Sequence, residues 1–191
     1  MRLSPHVARI TLALVLTVLA ALPAGATTLI RQGLDKLTAE NELVVYGRVL
    51  DIHSYWNAEH SMIMTDVRVR ASQVLKGDRT AREITFSLLG GTVGDITTLI
   101  IGGPELVPGS DYILFLNREQ LQGSRQVLTV RDLAQGAFEL ADFGAGRRVY
   151  SQGLAHVLLP DAGGISAPPG GTDGLTLDDM LSRIRQFAGD R

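Results

Sequence analysis

The chain predicts a mainly β protein, a small OB-like closed β-barrel of five to six strands, and three observations carry that expectation. Several short runs rich in β-branched residues alternate apolar and polar side chains with a period of two. Glycine, proline and aspartate clusters separate these runs at close spacing, as turns between strands do. The first strand carries a small residue, Gly47, and the second is long and strongly alternating. A β-sandwich is the alternative, because nothing in the sequence fixes strand order.

The elements follow in order. Arg2 and Arg9 precede an apolar run over residues 10–22, and Ala24-Gly25-Ala26 supplies small residues for cleavage, so residues 1–26 read as a signal peptide. That run is too short for a span, which needs roughly 20 apolar residues. The expectation is a secreted or periplasmic protein with no stable membrane insertion after cleavage near Ala26. The β-barrel domain is expected over 27–161, opening with a leading helix at about 28–40, where Leu29, Ile30, Leu34 and Leu37 share one face and threonines are available as caps.

Residues 43–52 read as the first strand. In the second, Ile63, Thr65, Val67, Val69 and Ala71 alternate with Met64, Asp66, Arg68, Arg70 and Ser72. Ile84, Phe86 and Leu88 mark the third, and further strands are expected at 97–101, 112–116, 126–130, 137–140 and 147–152. Residues 162–174, rich in glycine and proline, read as a linker. The last segment, 175–191, places Leu177, Met180, Leu181, Ile184 and Phe187 on one face behind a Thr176 cap, an amphipathic helix that packs on the barrel or docks on a partner.

Composition excludes several functions. The 191 residues are 45% apolar and 20% charged, enough for one domain with its own core. With no cysteine there are no disulfides, zinc ribbons or thiol chemistry. The net charge is −2, and losing Arg2 and Arg9 with the signal peptide makes it −4. Such a chain has no electrostatic footprint for nucleic acid or an anionic membrane.

Among groups that could do chemistry, Asp51, His53, Glu59, His60 and Asp66 form the densest set. A metal-dependent hydrolase would need His53, Glu59 and His60 to converge with an open coordination position, but no fixed ligand spacing such as H-E-x-x-H is present. Ser54, His60 and Asp66 could be drawn as a triad, yet the sharp G-x-S-x-G elbow is missing. No cofactor and no metal are therefore expected. The only tryptophan, Trp56, lies beside Tyr55 in what reads as a loop, and such aromatic pairs are typical contact residues. "GGTVGD", with Gly90, Gly91 and Thr92, has no lysine and leads into a strand-like run, so it is not a phosphate cradle.

The order of these motifs resembles a group of uncharacterised exported bacterial proteins with an OB-like β-barrel. The shared features are V-x-G-x-V at Val45, Gly47 and Val49, then L-K-G at 75–77 and the Gly90-Gly91 loop. G-x-P-x-x-x-x-G from Gly102 to Gly109 and Q-G-x-F at 135–138 complete the set, over roughly residues 43–140. More distantly, helix plus barrel is similar in architecture to the netrin-like domain of tissue inhibitors of metalloproteinases, although the cysteine those inhibitors use is absent. The expected function is an exported, non-enzymatic protein-binding module with Tyr55, Trp56, Gly90, Gly91 and Thr92 as the contact surface, and the similarity to the inhibitors implies a protease as one candidate partner. The alternatives are the metal-dependent hydrolase above and a structural cell-envelope component.

Overall fold

The structure, a computed structural model, describes residues 32–121, 126–131, 133–142, 146–152 and 174–189. The expected signal peptide lies outside the described residues, as does all of the expected linker except Gly174. Strands dominate: α1 (Leu34–Glu40), β1 (Leu43–Trp56), β2 (Ile63–Lys76), β3 (Glu83–Leu89), β4 (Gly91–Val93), β5 (Ile96–Thr98), β6 (Asp111–Gln120), β7 (Gln126–Val130), a 3-10 turn (Leu133–Gly136), β8 (Ala137–Asp142), β9 (Arg147–Ser151), β10 (Leu175–Thr176) and α2 (Leu177–Phe187).

Eight strands form one antiparallel sheet in the order β10-β9-β8-β6-β1-β2-β3, with β7 also paired to β6. The barrel was expected to hold five to six strands; the described residues place eight in the main sheet and two, β4 and β5, in a separate hairpin. The β1–β2 register shifts at Val44/Val45, Tyr46/Gly47 and Val49/Asp51. Each such bulge raises local twist and bends the strand, so the sheet curls on itself. β3 comes alongside β7, but no ladder joins them among the described residues.

The centre of the fold is β6, whose residues 112–116 are all fully buried. Strand alternation sends Ile113 and Phe115 to one face and Tyr112, Leu114 and Leu116 to the other. On the concave face the second set meets Val45, Val49, Val67, Val69, Ile84 and Phe86. On the convex face the first set meets Leu34 and Leu37 of α1, Phe138, Val149, and Met180, Leu181 and Ile184 of α2. Phe115 and Phe138 contact edge to face, with centroids 5.7 Å apart. An apolar run buried on both sides needs a cover on each, and the two helices provide the second.

The C-terminal helix is therefore part of the core. Thr176 caps it, its hydroxyl oxygen accepting from the Asp179 N–H at 3.2 Å, and Asp178 and Asp179 occupy the first turn where the dipole favours acids. The leading helix, expected from about residue 28, begins at Leu34, since Gln32 and Gly33 are not helical, and its N-cap is Gly33 rather than a threonine. Its C-terminal carbonyls are met from outside: Lys76 Nζ donates to Thr38 O at 2.7 Å and to Ala39 O at 2.9 Å.

Two local expectations change. Tyr55 and Trp56 are the last residues of β1, paired with Met64 and Ile63, and not loop residues. Both are strong strand formers. The turn begins only at Asn57, whose side-chain oxygen accepts from the Ser61 and Met62 N–H groups at 2.9 and 3.2 Å. The strand expected at 97–101 is instead β5, ending at Thr98, and Leu99 to Ile101 leave the sheet.

Removing the buried Ile184 side chain tests the role of α2. Ile184→Ala is expected to cost about 2–5 kcal/mol, read as a lower urea midpoint for the whole protein. A cost near zero would mean that α2 does not share the core.

Candidate functional site

One end of the curled sheet collects most of the residues singled out above. The row Trp56, Ile63, Gly90 crosses it: Trp56 pairs with Ile63, and the Gly90 N–H donates to Ile63 O at 2.8 Å. Beyond Gly90 the chain does not stop in a loop but forms the β4–β5 hairpin, turned at Gly94-Asp95. This hairpin lies against β1 and β2. A Cβ at Gly91 would run into Ser54 Oγ and Thr65 Oγ1, and its φ of +127° is one that other residues rarely adopt. Gly91 is thus required by a close approach of hairpin to sheet, and no ligand is needed to explain it.

Hydrogen bonds hold that approach. Thr65 Oγ1 donates to Gly90 O at 2.5 Å, and Ser54 Oγ lies 2.8 Å from Thr65 Oγ1. Thr65 has only one hydroxyl proton, so Ser54 is the donor of the second bond. Thr92, on the exposed side of the hairpin, shares a hydrogen bond with Thr97 across it at 2.9 Å.

Tyr55 points to the opposite face from Trp56, as neighbours in a strand must. Its hydroxyl donates to Asp66 Oδ1 at 3.1 Å, an oxygen that also accepts from Ser87 Oγ at 2.6 Å. Burial, with the Asp66 charge second, raises the Tyr55 phenol above its ordinary range. The structure thus brings Trp56, Gly90, Gly91 and Thr92 to one end and leaves Tyr55 on the convex face.

The histidines separate in the same way. His53 stacks on Tyr55, with centroids 6.1 Å apart, and His60 stacks on Trp56 at 6.4 Å. Among the described residues no three His, Asp or Glu side chains gather as a metal would need, so His53, Glu59 and His60 do not converge. The Ser54, His60, Asp66 arrangement does not form either, since Ser54 bonds to Thr65 and Asp66 to Tyr55 and Ser87.

Two features were missed by sequence reasoning. The first is a charged cluster at the start of β6. Arg48 donates two hydrogen bonds to Asp111, from Nε at 2.8 Å and Nη2 at 2.9 Å, and Arg147 Nη1 adds a third at 2.8 Å while reaching Tyr46 Oη at 3.0 Å. The Arg48 hydrogen bond holds the Asp111 carboxyl below its ordinary range, against the opposing effect of burial. These residues are 36 and 63 positions apart from Asp111, beyond any local pattern. The cluster is internally satisfied and ties β1, β6 and β9 together. A half-open cleft of about 330 Å³ beside β9 offers little more: Arg147 is held by Asp111, Arg148 by Gly174 O, and Thr176 by Asp179.

The second is the arm over residues 96–108, which starts as β5 of the hairpin and runs on towards β6. Ile96, Leu99, Ile101 and Val107 are 54, 78, 87 and 54% exposed. A β-branched run suggests a buried strand equally well, so only the structure distinguishes the two. Comparisons with protein-family models, with curated proteins and with solved structures find no match.

The Asp111 cluster predicts a pH dependence. Its carboxyl titrates lower folded than unfolded, so its stabilisation is present above about pH 4 and is lost as pH falls through the folded value. Urea midpoints taken from neutral pH downward should fall more steeply below about pH 4 for the wild type than for Asp111→Asn. Parallel curves would contradict the assignment.

Proposed function

We propose that the chain is an exported, non-enzymatic protein-binding module, an OB-like barrel left open between β3 and β7, which meets its partner at the end carrying Trp56 and the β4–β5 hairpin. One observation carries this reading: four large apolar side chains, Ile96 in the hairpin and Leu99, Ile101 and Val107 on the stretch that leaves it, stand exposed. Single exposed apolar residues are ordinary, but several together mark a recognition surface. Half-buried Trp56, whose partner Ile63 accepts from Gly90 at the base of the hairpin, supplies an aromatic anchor, and exposed Thr92 a hydroxyl. The hairpin beneath is pinned by Gly90 and Thr65, so little ordering is lost on contact. A protease as the partner is the finer form of this proposal, and it rests on architectural similarity alone.

The test uses the chain from residue 27 onward as bait in the exported fraction of its source cells. A defined protein should be captured, its binding should shift the emission of the sole tryptophan, and Trp56→Ala should weaken capture roughly tenfold while leaving the unfolding midpoint near that of the wild type. Absence of a captured protein would sink the reading. So would a stoichiometric transition metal in the purified chain, which would favour the hydrolase alternative.

A further inference from the structure

The arm that exposes these apolar groups is not loose. The Gly103 N–H donates to Ile100 O at 3.0 Å, the Ala134 N–H to Gly102 O at 2.9 Å, the Glu105 N–H to Gln152 Oε1 at 3.0 Å and the Val107 N–H to Tyr112 Oη at 3.1 Å. Beyond it the Gly109 N–H reaches Val49 O at 2.8 Å. Ile100 turns inward against Gly90, and Leu106 packs on the concave core. With Ile100 and Leu106 used inside, the same fastened backbone holds Leu99, Ile101 and Val107 outward.

The stretch of chain that forms the arm carries charge of one sign. From residue 83 to residue 117 the chain contains no lysine or arginine. Asp95 precedes Ile96 and Glu105 falls between Ile101 and Val107; both are exposed and have no ion-pair partner among the described residues. An apolar surface between unpaired carboxylates is complementary to apolar groups that carry cations beside them.

We propose that the arm over residues 96–108 docks a segment of a partner protein in which apolar side chains stand next to lysine or arginine. The proposal rests on the binding-module reading and names the chemistry of its partner. An anionic lipid surface would be repelled by Asp95 and Glu105. A second copy packed through the same patch would set those carboxylates against their own counterparts, since a two-fold interface pairs like with like.

The probe is a fluorescein-labelled ten-residue peptide alternating leucine and lysine, compared with leucine–glutamate and serine–lysine counterparts, read by fluorescence anisotropy. The leucine–lysine peptide should bind saturably and the other two should not. Leu99→Ser with Ile101→Ser should weaken binding roughly tenfold or more, and both side chains are exposed enough for the fold to survive. Asp95→Asn with Glu105→Gln should weaken it about two- to fivefold and flatten its salt dependence.

No binding of the leucine–lysine peptide, equal binding of the leucine–glutamate peptide, or no effect of the Leu99 and Ile101 changes would overturn the proposal. So would sedimentation with anionic vesicles, or self-association, that is lost in the Leu99 and Ile101 variant. The exported-fraction capture separates the two claims. Capture that survives Leu99→Ser with Ile101→Ser but fails with Trp56→Ala removes the arm and leaves the module, whereas failure to capture any protein removes both.

Discussion

Burial of β6 on both faces is the constraint from which the rest of the structure follows. Tyr112, Leu114 and Leu116 need a curled sheet around them, and Ile113 and Phe115 need a cover that the sheet itself cannot supply. Each of these side chains contributes roughly 1.5–3 kcal/mol only if it is kept from water. The protein meets the second need by bringing both helices, from opposite ends of the described chain, onto the same convex face. Asp111, at the head of β6, anchors that strand laterally through Arg48 and Arg147, and the apolar arm ends where β6 begins. A surface built there inherits the rigidity of the core.

The motifs that carry the resemblance to the exported group have structural causes. In V-x-G-x-V, a Cβ at Gly47 would strike the Arg70 carbonyl oxygen, so the glycine lets β1 and β2 approach at a bulge. In L-K-G, Leu75 is buried against the helices and Lys76 closes the end of α1. In Q-G-x-F, buried Gln135 accepts the Gln32 N–H at 2.8 Å and Phe138 packs on Phe115. The apolar side chains the fold does not bury are Leu99 and Ile101 above all.

Much of this was legible because a strand buried on one side has a period of two, which placed β2 and β3, while a short continuous apolar run bounded by turn residues placed the heart of β6. The amphipathic face and cap of α2 were equally plain. What the chain hides is whatever depends on distant partners. Residues 97–101 look the same whether covered or exposed, so the start of the arm passed for a strand. Trp56 was read as a loop residue because the turn was started too early, where Asn57 in fact sets it. The short β4–β5 hairpin looked like punctuation, since its attachment depends on Ser54 and Thr65 far back in the chain.

The central claim is that a doubly buried strand holds a fixed apolar arm for a partner to grip. Amide hydrogen exchange on the complex with the captured protein tests it most directly, because it maps contact and rigidity together. The account predicts new protection over residues 90–107, with the β6 amides already slow in the free protein and unchanged on binding. New protection confined to the exposed face of α2, or rapid exchange of β6 in the free protein, would contradict it.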